Sequence, residues 1–161
     1  ESGDFTDQIS HLRQGDSVLV EAPFGRYSFM YHDPVRLVYI AGGVGITPIM
    51  SMLRYIRDSE LDIPVTLIWG NKSRKDILFQ KELDSMKDKV RTVHVLSEPE
   101  EDWEGEKGYV TREILEKYVQ EELQDADVFL CGPAPMMKKV KQALGELGVP
   151  PERIHTEKFG L

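Results

Sequence analysis

Cysteine is nearly missing from this sequence. Cys131 stands alone, so no intramolecular disulfide can form, and a reducing, cytoplasmic setting is expected. Basic charge is also short. Lys and Arg number 20 against 28 Asp and Glu, and the formal net charge of −8 argues against a surface that must displace counterions from nucleic acid. Long apolar runs are missing too, since none approaches the roughly 20 residues of a membrane-spanning helix. The four histidines, His11, His32, His94 and His155, lack the intervals of a ligand set, so no metal site is expected. Neither a Ser-His-Asp arrangement nor an internal repeat nor a low-complexity tract stands out. No secretory leader is visible, and the chain opens on Glu1 rather than Met, which points to sequence upstream.

What is present suits a globular domain. Hydrophobic residues make up 40% and charged residues 30%, and 161 residues allow one well-buried domain with an appended piece. From about residue 36, strand-like and helix-like segments alternate, the pattern of a parallel sheet covered by helices. Strands are expected at Arg36–Ala41, Val65–Trp69, Val90–Leu96, Asp127–Cys131 and Arg153–Phe159. The helix after the first strand carries Ile49, Met52, Leu53 and Ile56 at i, i+3, i+4 and i+7, one apolar stripe. Later helices bury Phe79, Leu83 and Met86; Ile114, Leu115 and Tyr118 behind a Thr111 cap; and Met137, Val140 and Leu144, ended by Gly148. The acidic stretch Ser97–Lys107 reads as a loop. The expected fold is therefore α/β, a Rossmann-like five-stranded parallel sheet with helices on both faces. Residues 1–33 fall outside this rhythm. Gly15-Asp16, then Ser17–Glu21, then Pro23-Phe24-Gly25 read as a turn, a strand and a second turn. A single strand is no domain, so this piece reads as the tail of an upstream β-domain, with residues 34–161 as the main one.

Four places carry chemistry. In Val38–Pro48, a strand meets the glycine turn Gly42-Gly43-Val44-Gly45 and then a helix start, where Thr47 suits an N-cap and Pro48 the first helical position. Such a turn lets N–H groups approach a pyrophosphate at a helix N-terminus, although a plain tight turn has the same letters. Cys131-Gly132-Pro133-Ala134-Pro135-Met136 repeats the strand–glycine–helix theme, and Cys131 fits either a structural thiol or a neutral neighbour to a reacting ring. After the second strand, Gly70-Asn71-Lys72-Ser73-Arg74 offers cations for a 2′-phosphate or merely a solvated turn. There Asp76 reads as a helix cap in preference to a ribose ligand. At the C-terminus, Glu157-Lys158-Phe159 places a carboxylate and an aromatic ring near each other, or is a frayed end.

Taken together and in order, these motifs resemble the nicotinamide-binding domain of the ferredoxin–NADP reductase superfamily. The matching residues are Gly43-x-Gly45-x-Thr47-Pro48, Gly70-Asn71 with Asp76–Phe79, Cys131-Gly132-Pro133 with Met136, and Glu157-x-Phe159. Gly3-Asp4-Phe5-Thr6 resembles the family's flavin-pyrophosphate element, and the stretch to Gly25 its barrel exit, with ferric-reductase-like and flavodoxin-reductase-like members nearest. The resemblance implies a nicotinamide cofactor and FAD, with hydride transfer to the flavin and electrons passed on to ferric iron, ferredoxin, or a haem or iron–sulfur partner. It places Gly42, Gly43, Gly45, Thr47 and Pro48 on the cofactor's pyrophosphate and ribose, Gly132, Pro133 and Met136 beside it, and Gly3 and Thr6 on the flavin. Cys131 and Glu157 become the catalytic pair, with Phe159 near the stacking site. The family's Arg-x-Tyr-Ser/Thr flavin element has no match, so this chain alone is expected to hold flavin poorly and to need the flavin domain as partner. Where phosphate-preferring members carry Ser-Arg, this chain has Ser97-Glu98, which favours NADH, while Lys72 and Arg74 favour NADPH. The balance points to NADH. A second reading keeps the fold as a non-catalytic electron-transfer or regulatory subunit. The parent protein is expected in the cytoplasm, either free or as the cytoplasmic part of a membrane-associated reductase.

Overall fold

The computed structural model describes residues 4–22 and 24–158. Its centre is a six-stranded sheet in the order β4-β3-β2-β1-β5-β6, with every neighbouring pair parallel. The strands are β1 (Leu37–Gly42), β2 (Val65–Asn71), β3 (Val90–Leu96), β4 (Glu106–Lys107), β5 (Asp127–Cys131) and β6 (Ile154–Glu157). The helices are α1 (Asp4–Ile9), α2 (Ile46–Asp58), α3 (Gln80–Ser85), α4 (Arg112–Val119) and α5 (Ala134–Glu146). None of the described helices is long and apolar enough to cross a membrane.

β1 is apolar without alternation because both of its faces are covered. Leu37, Tyr39 and Ala41 point into a core closed by α2 and α3, while Val38 and Ile40 point into one closed by α4 and α5. The stripe Ile49, Met52, Leu53 and Ile56 is buried on the first side. Gly148, with φ +84°, follows α5 in the left-handed conformation that ends helices.

The structure corrects several expectations. The stretch Ser97–Lys107 is not all loop, because Glu106 and Lys107 pair with Val95 and Leu96 as a sixth strand. Two residues carry no periodicity. Long-range bonds make this strand, with Trp103 Nε1 donating to the Glu106 carbonyl at 3.0 Å and Gly108 N to that of Leu96 at 2.7 Å. Ser17–Glu21 forms no strand, since it has no neighbour to pair with among the described residues. Thr47 is not the N-cap: α2 starts at Ile46, Gly45 takes the cap position, and the Thr47 hydroxyl donates to the Val44 carbonyl at 3.0 Å. Pro48 is thus the third helical residue, where a missing N–H still costs no helical bond. Asp76 does not cap α3, whose cap residue is Phe79. Instead Asp76 Oδ2 accepts from Ser73 N at 2.9 Å and Ser73 Oγ at 2.8 Å, closing the preceding turn. Finally, spacing along the chain indicates no metal set, yet the fold brings His32, Asp127 and His155 within 4.8 Å of one another by their ligand atoms.

Candidate functional site

The strand order reverses at β1, which has β2 on one side and β5 on the other. Ligands of open α/β sheets bind outside the carboxyl ends of strands at such a switch point. Here a cleft of about 740 Å³ opens at that place. Gly42 and Gly43 reach it from β1; Gly70, Asn71 and Lys72 from β2; Ser97 from β3; Pro133 and Met136 from the turn after β5. One wall is formed by Tyr109–Glu113 at the start of α4, another by Lys139 and Glu146 of α5.

The glycines divide by role. Gly43 adopts φ +50°, and a side chain built there would meet nothing, so its backbone faces open cleft. Gly45 is different, because a Cβ there would lie 2.2 Å from the Cys131 carbonyl oxygen. Its lack of a side chain lets the turn after β1 press onto the end of β5, and it does not line the cleft. Gly132 serves the same contact from the other side, its Cβ position being 3.0 Å from Gly42 N. The β1 turn is held by a residue that the motifs do not include: buried Trp69 donates its Nε1–H to the Gly43 carbonyl at 3.0 Å. In the sequence, Trp69 looks only like a core aromatic of a strand. Trp69→Phe removes this bond, and thermal or urea unfolding is expected to show a loss of about 1–3 kcal/mol.

Asn71 is the most informative polar group. It is 8% exposed and lines the cleft, yet neither Nδ2 nor Oδ1 has a hydrogen-bond partner. A buried amide without partners costs free energy unless a bound group supplies them.

The cations beside it are engaged. Lys72 Nζ lies 3.2 Å from a Glu98 carboxylate oxygen. Arg74 pairs with Asp102 at 3.1 Å, stacks 5.5 Å from the Trp103 ring, and does not line the cleft. Cleft-facing Arg112 is paired with Glu116 and Glu146. Tyr109, Thr111, Arg112 and Lys139 belong to no motif; of these, only Thr111 was legible, as the cap of α4.

Cys131 and Glu157 are brought into register as partners on β5 and β6. The thiol is fully buried, and burial, with a smaller push from Glu157, raises its pKa to about 11. It is therefore a neutral thiol at physiological pH. Thiol-reactive dyes are expected to label native Cys131 about a hundredfold or more slowly than a free thiol of pKa about 8.5, with ordinary rates returning in denaturant. Next to it, burial also drives the Tyr27 phenol well above its ordinary pKa, and its hydroxyl has no partner. Thr47, Pro48, Cys131, Gly132 and Glu157 do not line the cleft itself. Thr6 has its backbone in α1, whereas Gly3 and Phe159 lie outside the described residues.

A parallel sheet with an open glycine turn at its switch point defines an α/β dinucleotide-binding domain. Residues 39–142 match the family model described as the oxidoreductase NAD-binding domain, and the chain belongs to that family, in the ferredoxin–NADP reductase-like class. The glycine betaine monooxygenase reductase subunit of Pseudomonas aeruginosa is 31% identical over 93% of this chain and 42% of its own length. NADH-cytochrome b5 reductase 1 of Candida glabrata is 32% identical over 92% of this chain and 54% of its own. The cytochrome b5 reductase domain of Ulva prolifera nitrate reductase superposes with a TM-score of 0.79 at 26% identity, covering 99% of this chain and 65% of that one. The chain thus spans about half the length of the curated relatives it matches.

Proposed function

We propose that this chain is the nicotinamide-dinucleotide module of an NADH-dependent flavoprotein reductase that passes electrons to a separate acceptor. The observation that carries this reading is the unpartnered Asn71 amide beside the open Gly43 turn. Both fit a ligand rich in hydroxyl, amide and phosphate groups. When bound, the nicotinamide would supply the hydride and FAD would receive it. The chain's own part is placement. Gly43 and the open turn that leads into α2 would face the pyrophosphate, Asn71 would exchange hydrogen bonds with the nucleotide, and Cys131, buried behind the turn, would leave that wall uncharged as a neutral thiol. The engaged state of Lys72 supports NADH over NADPH, because a 2′-phosphate seeking that cation would meet the Glu98 carboxylate beside it, while Arg74 is held away from the cleft by Asp102.

Residues 1–33 are proposed to belong to the flavin domain. In support, Val18, Leu19, Val20 and Phe24 are 61%, 99%, 75% and 78% exposed, an apolar edge with no partner among the described residues. The acceptor is proposed to be a haem protein, the class to which the name of the cytochrome b5 reductases points.

Calorimetric titration with NADH and with NADPH tests the reading, using Asn71→Leu alongside. Leu removes a buried unsatisfied amide, so the variant should melt no lower than the parent while binding NADH at least tenfold more weakly. A folded chain that binds neither nucleotide would sink the proposal, and so would equal binding by the Leu variant.

A further inference from the structure

Away from the cleft, three segments distant in sequence converge at the other end of β5. Asp127 opens β5, and its N–H donates to the Arg36 carbonyl at 3.0 Å. His155 sits on β6, the edge strand, in register with Phe129. His32 follows the short turn Phe29–Tyr31 in the segment that leads into β1. Asp127 Oδ1 and His155 Nε2 are 2.7 Å apart. The His155 ring lies 4.5 Å from that of Phe129 and 3.9 Å from that of His32, with tilts of 31° and 34°. The imidazoles therefore rest against an aromatic wall that restricts their rotamers. All three residues are half-buried, so the cluster keeps an open side. A cavity of about 340 Å³ adjoins His32 there. Among the described residues the His32 ring makes no hydrogen bond, although it packs against a second imidazole.

We propose that His32, Asp127 and His155 bind a divalent transition ion of the zinc type, clamping the segment before β1 to the edge strand β6. Two imidazoles and one carboxylate select such ions over Mg²⁺ and Ca²⁺, which prefer all-oxygen shells. Zinc–nitrogen and zinc–oxygen bonds of about 2.0–2.2 Å bring ligand atoms to about 3–3.5 Å of one another. The Asp127–His155 pair, 2.7 Å apart, would open slightly to admit the ion, and rotation of the His32 side chain, whose ligand atom lies within 4.8 Å of the other two, would close the rest. The carboxylate supplies one negative charge to the ion, and water from the open side completes a fourth position. The ligands come from three segments, so the ion would cross-link them in the folded state alone and stabilise it by mass action.

The test is titration of the metal-stripped 161-residue chain with Zn²⁺, followed by calorimetry and by Tm, with Mg²⁺ as the control for the acidic surface. One equivalent of Zn²⁺ should bind, and Tm should climb with zinc concentration, while Mg²⁺ does neither. His32→Ala and His155→Ala should each weaken zinc binding at least tenfold and abolish the zinc-dependent rise in Tm. His11→Ala should change nothing, since His11 lies outside the cluster. A purely structural Asp127–His155 bond would make His155→Ala less stable with or without zinc, and would leave His32→Ala unaffected. Zinc affinity that survives in the His32→Ala, His155→Ala double variant would overturn the proposal. So would a parent chain whose Tm ignores zinc.

Discussion

Gly45→Ala is expected to destabilise the domain by about 3 kcal/mol or more, a large share of the roughly 5–15 kcal/mol by which domains are stable. The reason is contact, not conformation. A Cβ at Gly45 would stand 2.2 Å from the Cys131 carbonyl oxygen, 2.5 Å from its carbon and 2.9 Å from Gly132 N. These are backbone atoms at the end of a central strand, so relief requires moving the β5 turn away from the β1 turn. Gly45 itself has φ −58°, a value that alanine adopts freely. Gly43→Ala provides the contrast. It meets no neighbour but must hold φ +50°, which costs on the order of 1 kcal/mol. Urea unfolding of both variants checks the ordering, with Gly45→Ala showing the much lower midpoint. Equal midpoints would mean that the two turns do not press together as described.

Glu98→Arg is expected to shift the NADPH-to-NADH affinity ratio toward NADPH by about tenfold to a hundredfold, a range of about 1.4–2.7 kcal/mol in binding. Lys72 now spends its charge on Glu98 at 3.2 Å. The substitution releases Lys72 and adds a second cation where a carboxylate would repel a 2′-phosphate. Both residues are well exposed, so the gain should shrink as added salt screens it. NADH carries no 2′-phosphate, and its own affinity should barely move. Titrations with both nucleotides at low and high salt measure the ratio directly. An unchanged ratio would place the ribose end of the nucleotide elsewhere in the cleft, and would remove the argument for NADH preference.

The sequence by itself determined the main strands and helices from residue 36 onward and the order in which they run, but not β4. The strands Val90–Leu96 and Asp127–Cys131 were readable to the residue, the first from its β-branched alternation and the second from a short apolar run, because such patterns have few other local solutions. The same holds for the stripe Ile49, Met52, Leu53 and Ile56, and for the glycine turn that marks the switch point. These are short-range signals, carried by side-chain period and backbone freedom. Tertiary structure alone decided what those residues touch. Only the packed sheet shows that Gly45 serves the β5 turn rather than the cleft, that Trp69 holds the Gly43 carbonyl, and that Asn71 is buried without a partner. Only the fold pairs Lys72 with Glu98 and Arg74 with Asp102, gives Glu106 and Lys107 a strand to lie beside, and sets His32 against His155. The physical reason is common to all of them. Steric contact, desolvation and ion pairing act through space between segments far apart in the chain, whereas periodicity and turn chemistry report only on a residue's near neighbours.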